Sequence, residues 1–105
     1  MRDYSAVSVL RSDIIDDDRV GARWWSRVFK VTQQQPPRWL ERGEMPPSVG
    51  RVAGVHAWMR EDAERFLEIL HEQTGIAPDR TRPAERRHAV QAFLGEREAA
   101  ALEDA

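Results

Sequence analysis

From Arg19 to Val31 the apolar residues Val20, Trp24, Trp25, Val28 and Phe29 recur at helical spacing, while Arg19, Arg23, Arg27 and Lys30 fall on the opposite side. The pattern predicts an amphipathic helix with an apolar face and a basic stripe. Asp16-Asp17-Asp18 suits its start, because carboxylates favour the positive end of a helix dipole and an aspartate can cap free amides. Asp16 as cap puts Ile15 and Val20 at the positions of a hydrophobic staple. Residues 5 to 15, S-A-V-S-V-L-R-S-D-I-I, are apolar without a period and fit a short helix or a strand.

Thr32-Gln33-Gln34-Gln35 has the spacing of a capping box, which would open a second helix at Gln33. Pro36-Pro37 would then remove amides from its first full turn, whereas a proline is well placed at the first helical position. A late start at Pro36, with the glutamines in an extended turn before it, is the better reading, and Gly43 closes the helix after Trp39, Leu40, Glu41 and Arg42. Residues 48 to 58 fit two structures. Two valine-rich halves around Ala53-Gly54 suggest a short hairpin, and glycines in a helix interior cost about 1 kcal/mol each. Val49, Val52, Ala53, His56 and Met59 also recur at helical spacing, so a helix is the alternative.

Residues 60 to 74 predict an amphipathic helix with Ala63, Phe66, Leu67 and Leu70 inward, ended by Gly75. Residues 76 to 82 read as a linker, and Pro83 as the first turn of a last helix through Leu94, with Ala89, Val90, Phe93 and Leu94 as its apolar stripe. Gly95 should break it, with E-R-E-A-A-A-L-E-D-A continuing as a frayed helical tail. The expected fold is mainly α, a helix-turn-helix core with a short β-hairpin wing and C-terminal helices. Residues 1 to 75 form the domain, and residues 76 to 105 the linker and C-terminal helix.

Net charge is −2 over 105 residues, which at first opposes a nucleic-acid partner. Its distribution reverses that. Residues 19 to 60 carry eight basic side chains against Glu41 and Glu44, net +6, while both flanks are acidic, −3 before and −5 after. The absence of cysteine removes disulfides, thiolate zinc sites and cysteine nucleophiles together. The N-terminus lacks the apolar core of a signal peptide and no run is long enough to span a membrane, so a cytoplasmic protein with no membrane partner is expected.

W-L-E-R-G-E-M-P at residues 39 to 46, followed by W-M-R-E-D-A-E-R-F-L at 58 to 67, resembles the excisionase and AlpA-like regulators of phages and mobile elements, which are winged helix-turn-helix proteins of MerR type. The matching positions are Val31, Thr32, Trp39, Gly43, Pro46, Trp58, Arg60, Glu61 and Asp62. The same stretch is also similar to Cro- and YdaS-like repressors, in which E-R-G-E-M-P-P-S would lead into a fourth helix. Either resemblance implies double-stranded DNA as partner, in a repressor, activator or excisionase role. Arg19, Arg23, Arg27 and Lys30 would hold phosphates, and Gln33, Gln34, Gln35, Arg38 and Arg42 would lie at the major groove, glutamine suiting adenine and arginine guanine. Arg51 and His56 would approach from the wing. The bland reading makes the stripe a solvated surface and the glutamines a neutral polar turn.

Other chemistry finds little support. His56, His71 and His88 lack metal-ligand spacing, and no phosphate loop or nucleophile elbow is present, so no metal, no cofactor and no enzymatic activity are expected. Self-association as a homodimer or cooperative assembly is expected, with the last helix as interface. The rival function is a protein-interaction module, such as an antitoxin, anti-repressor or inhibitor of a host protein, docking through the acidic C-terminal region.

Overall fold

The computed structural model describes residues 18 to 52 and 55 to 103. It is mainly helical, with a small antiparallel sheet: β1 (Arg19–Gly21), α1 (Ala22–Phe29), α2 (Gln35–Glu41), β2 (Gly50–Val52), β3 (Val55–Met59), α3 (Arg60–Thr74), a 3-10 turn (Pro78–Arg80) and α4 (Pro83–Glu103). The sheet order is β1-β3-β2.

Helix α1 begins three residues later than its apolar stripe suggests. Val20, fully buried, pairs with Trp58 across β1 and β3, and the Arg60 amide donates to the Asp18 carbonyl at 2.6 Å. Val20 satisfies a helical stripe and a strand equally well, so the ladder to β3 decides. Gly21, in extended backbone, then precedes the helix with no side-chain cap. Ile15 and Asp16, like the segment from 5 to 15, lie outside the described residues, and Val20 in a strand cannot serve the expected staple. From Trp24 onward the expectation holds: Trp24, Trp25, Val28 and Phe29 are buried. The helix ends at Lys30, a left-handed residue with φ 56°.

Helix α2 starts late, at Gln35, with Pro36 and Pro37 in its first turn where the missing amides cost no intrahelical bond. No side-chain capping box forms, and instead the Gln35 amide donates to the Thr32 carbonyl at 3.1 Å, closing a turn through the glutamines. At the far end Gly43, at φ 75°, donates to the Leu40 carbonyl and Glu44 donates to the Trp39 carbonyl, the paired bonds of a Schellman cap.

Strands β2 and β3 pair antiparallel as a hairpin where a helix was the alternative. Gly50 faces Ala57, Arg51 faces His56 and Val52 faces Val55, and the Trp58 indole Nε1 donates to the Pro46 carbonyl at 2.7 Å, fastening the approach to β2. Ala53 and Gly54 lie outside the described residues.

One apolar cluster joins the elements. All four tryptophans are buried in it, and Trp25 lies 5.8 Å from Trp58 and 5.9 Å from Phe66 in edge-to-face contacts, each worth about 0.5–1.5 kcal/mol beyond burial. Helix α3 supplies Ala63, Phe66, Leu67, Ile69 and Leu70 and stops at Gly75 (φ 69°), as its pattern predicts. Ala89, Val90 and Phe93, from the segment expected to follow the domain, join the same cluster.

Two expectations for α4 fail. Leu94 is exposed, and Gly95 does not end the helix, which continues to Glu103. Past the glycine, Glu96 bonds Arg65 at 2.6 Å and Arg97 reaches Asp62 at 3.2 Å, so contacts to α3 offset the local cost of glycine. A Cβ at residue 95 would meet nothing within 4 Å. Gly95→Ala should therefore raise stability by about 1 kcal/mol in thermal or denaturant unfolding. A loss of stability would show that the helix is interrupted there.

Candidate nucleic-acid interface

The two sides of α2 divide sharply. Pro36 and Trp39 are buried and Leu40 packs on the core, while Gln34, Arg38, Glu41 and Arg42 are exposed at spacings that place them on one side. Gln33 is exposed in the preceding turn and Gln35, half-buried, is the first helical residue. Among the described residues Arg38, Arg42 and Arg51 enter no ion pair.

Helix α1 presents Arg23 and Arg27, both exposed, one turn apart. Lys30 follows at the left-handed terminus, 75% exposed and 3.9 Å from Asp79, a separation too long and too solvated to neutralise it. Arg19 is the exception among the expected stripe. It sits half-buried in β1 opposite Met59, away from the helical spacing, because the strand takes up the residues before Ala22. The basic stripe on α1 is thus Arg23 and Arg27, extended by Lys30.

On the hairpin, Arg51 is exposed on β2 and lies directly across the ladder from His56. His56 is half-buried, with its Nδ1 3.1 Å from the Ser48 hydroxyl and its ring 6.1 Å from Trp58. The histidine ties the strand to the segment before β2 while its partner arginine stays in solvent.

Of the two acids within residues 19 to 60, Glu41 is exposed but Glu44 is 1% exposed and bonded by Arg86 of α4, at 2.7 Å from Nη2 and 3.0 Å from Nε. Arg86 also donates from Nη1 to the Thr81 carbonyl at 2.6 Å and lies 4.0 Å over the Trp39 ring. None of Glu44, Thr81 or Arg86 stands out in the sequence. The only local hint is an acid placed between the helix-ending Gly43 and the apolar Met45.

On α3 and α4 five acids, Asp62, Glu64, Glu68, Glu72 and Glu96, are met by arginines. Arg65 donates to Glu96 and Glu72 and lies 3.7 Å from Glu68, Arg60 bonds Glu64, and Arg97 bonds Asp62. The hydrogen bonds that Arg65 donates to Glu96 hold its guanidinium above its ordinary basicity, and they in turn lower the pKa of Glu96. His56, His71 and His88 lie on β3, α3 and α4, and among the described residues no three His, Asp or Glu side chains gather as metal ligands. No described helix is long and apolar enough to cross a membrane.

No protein-family model, curated protein or solved structure matches the chain.

A carboxylate whose folded pKa is depressed stabilises the fold above its unfolded pKa, and that contribution is lost as pH falls through the folded value. Glu96 should accordingly titrate below the ordinary glutamate value of about 4.3, measured by NMR of its side-chain carboxyl carbon, and Arg65→Gln should return it there. An unshifted midpoint in the unaltered protein would remove the α3–α4 bridge from solution.

Proposed function

We propose that this chain is a sequence-specific DNA-binding protein with a winged helix-turn-helix, a regulator or excisionase-like factor of a phage or mobile element. The observation that carries the reading is the solvent side of α2, where Gln34, Arg38 and Arg42 stand exposed with the glutamine turn at one end. Helix α2 is the recognition helix in this reading. Gln33, Gln34, Gln35 and Arg38 meet base edges in the major groove, and Arg42 lies at its rim. Arg23, Arg27 and Lys30 hold phosphates and set the register, with Arg19 at the sheet as a further phosphate contact. The hairpin is the wing, and Arg51 reaches the backbone or minor groove from it, with His56 alongside.

The hairpin also favours one relationship over the other. A Cro- or YdaS-like repressor needs a helix where β2 and β3 lie, whereas an excisionase-like protein needs a wing there. Helix α2 is seven residues long, about 10 Å, so one copy offers few base contacts. Self-association is part of the proposal for that reason, through the outer part of α4 where Leu94 and Leu102 are exposed. The protein-interaction reading draws on the acids of α3 and α4, but the ion pairs among them already use much of that charge.

Two measurements test the assignment. Footprinting on the DNA upstream of the protein's own coding region should reveal a protected site, and Arg38→Ala should weaken binding to it by about 1–3 kcal/mol while helix content stays unchanged. Full specific binding by that variant would remove α2 from the groove. Arg23→Ala and Arg27→Ala should each weaken specific and random DNA alike and reduce the slope of log affinity against log salt by about 1. Passage through heparin at low salt without retention would favour the protein-interaction module.

A further inference from the structure

Helix α2 has little means of holding its own orientation. Its seven residues include two prolines, and only Pro36, Trp39 and Leu40 face inward. Short helices form through tertiary contacts, not by themselves. Phe29 of α1 meets the Trp39 ring edge-on at 5.1 Å. The Arg86 guanidinium also lies against the Trp39 ring, 4.0 Å from its centroid.

We infer that Arg86 of α4 is a positioning residue for α2 and the hairpin, making residues beyond 75 part of the DNA-reading unit; this rests on the DNA-binding reading above. Arg86 is 6% exposed and uses its whole fork. It covers the Trp39 ring at 4.0 Å, gives two bonds to Glu44 Oε1 and anchors its third nitrogen on the Thr81 carbonyl. Glu44 is the residue whose amide closes the C-terminal cap of α2 on the Trp39 carbonyl, at 2.8 Å. Two residues on, the Pro46 carbonyl accepts the Trp58 indole bond from β3. The chain between recognition helix and wing is therefore pinned at one end to α4 and at the other to the sheet, with Met45 buried between.

A buried ion pair is a poor source of net stability, since apolar side chains of similar size often serve as well. Direction is what it adds. The planar fork constrains Glu44 and Trp39 to one arrangement, and an ammonium cannot reproduce both the paired bonds and the stacking. Arg87, 3.9 Å from the other Glu44 oxygen and half-exposed, is too loose to substitute.

The test compares the unaltered 105-residue chain with Arg86→Lys and with the double variant Glu44→Met/Arg86→Met, which removes both charges together. Amide exchange is followed at Arg42, Gly43 and Glu44, and binding is measured to random duplex DNA and to a site selected by the unaltered protein from a random pool. Exchange at those amides should accelerate about tenfold or more with α1 and α3 unchanged. The ratio of selected-site to random-DNA affinity should fall about tenfold, while random-DNA affinity at low salt stays within roughly twofold. Unchanged α2 exchange in a folded variant overturns the inference, as does acceleration that merely parallels α1 and α3. If the unaltered protein selects no site, the DNA-binding reading fails and the exchange arm still decides whether Arg86 orients α2.

Discussion

Trp25 is the point at which the fold is assembled. Its ring stands within 6.0 Å of Trp24, Phe29, Trp58 and Phe66, which joins α1 to β3 and α3 through one side chain. Because Trp58 is also the partner of Val20 and the donor to Pro46, the position of β1, the entry to the hairpin and the packing of α3 all follow from where that aromatic group sits. The indole Nε1 groups of Trp24 and Trp25 are buried with no hydrogen-bond partner among the described residues.

The aromatic hub does not reach α2 directly. Phe29 passes the contact on to Trp39, and Trp39 is then held between that ring and the Arg86 guanidinium. The structure thus has two tiers: an aromatic centre that fixes α1, the sheet and α3, and a buried ion pair that fixes α2 and the turn after it. The second tier depends on direction more than on burial, which suits a helix too short to be oriented by its own apolar surface.

How legible this was in the sequence depended on the range of the forces involved. Helix α3 could be read from its stripe and from Gly75, and the late start of α2 from two adjacent prolines, because those constraints are local. The hairpin could be favoured over a helix on the same grounds. Strand β1 could not be separated from α1, since Val20 fits both periods and only its pairing with Trp58 chooses. Gly95 read as a stop because its local cost was visible, whereas Arg65–Glu96 and Arg97–Asp62, which carry the helix past it, join residues on different helices. The exposed side chains of the candidate site were readable as the complement of the apolar stripes, apart from Arg19. Glu44 and Arg86, 42 positions apart, left no periodic trace at all.

That pair also bears on the charge of the molecule. A net charge of −2 would count against DNA if every charge acted at the same place, but screening at physiological salt confines exposed charges to about 8 Å. The described residues measure 36 × 30 × 28 Å, so exposed charges on opposite sides of them are largely screened from one another. Within the basic segment Glu44 is withdrawn from solvent and neutralised by an arginine drawn from α4, leaving Glu41 as the one exposed acid between Arg19 and Met59 among the described residues. On α3 and α4, Glu64, Asp62 and Glu96 are engaged by Arg60, Arg97 and Arg65. The field near Arg23, Arg27, Lys30, Arg38 and Arg42 is therefore set by which carboxylates the fold buries or pairs. The same guanidinium that orients α2 neutralises Glu44, the buried acid just past its C-terminal cap.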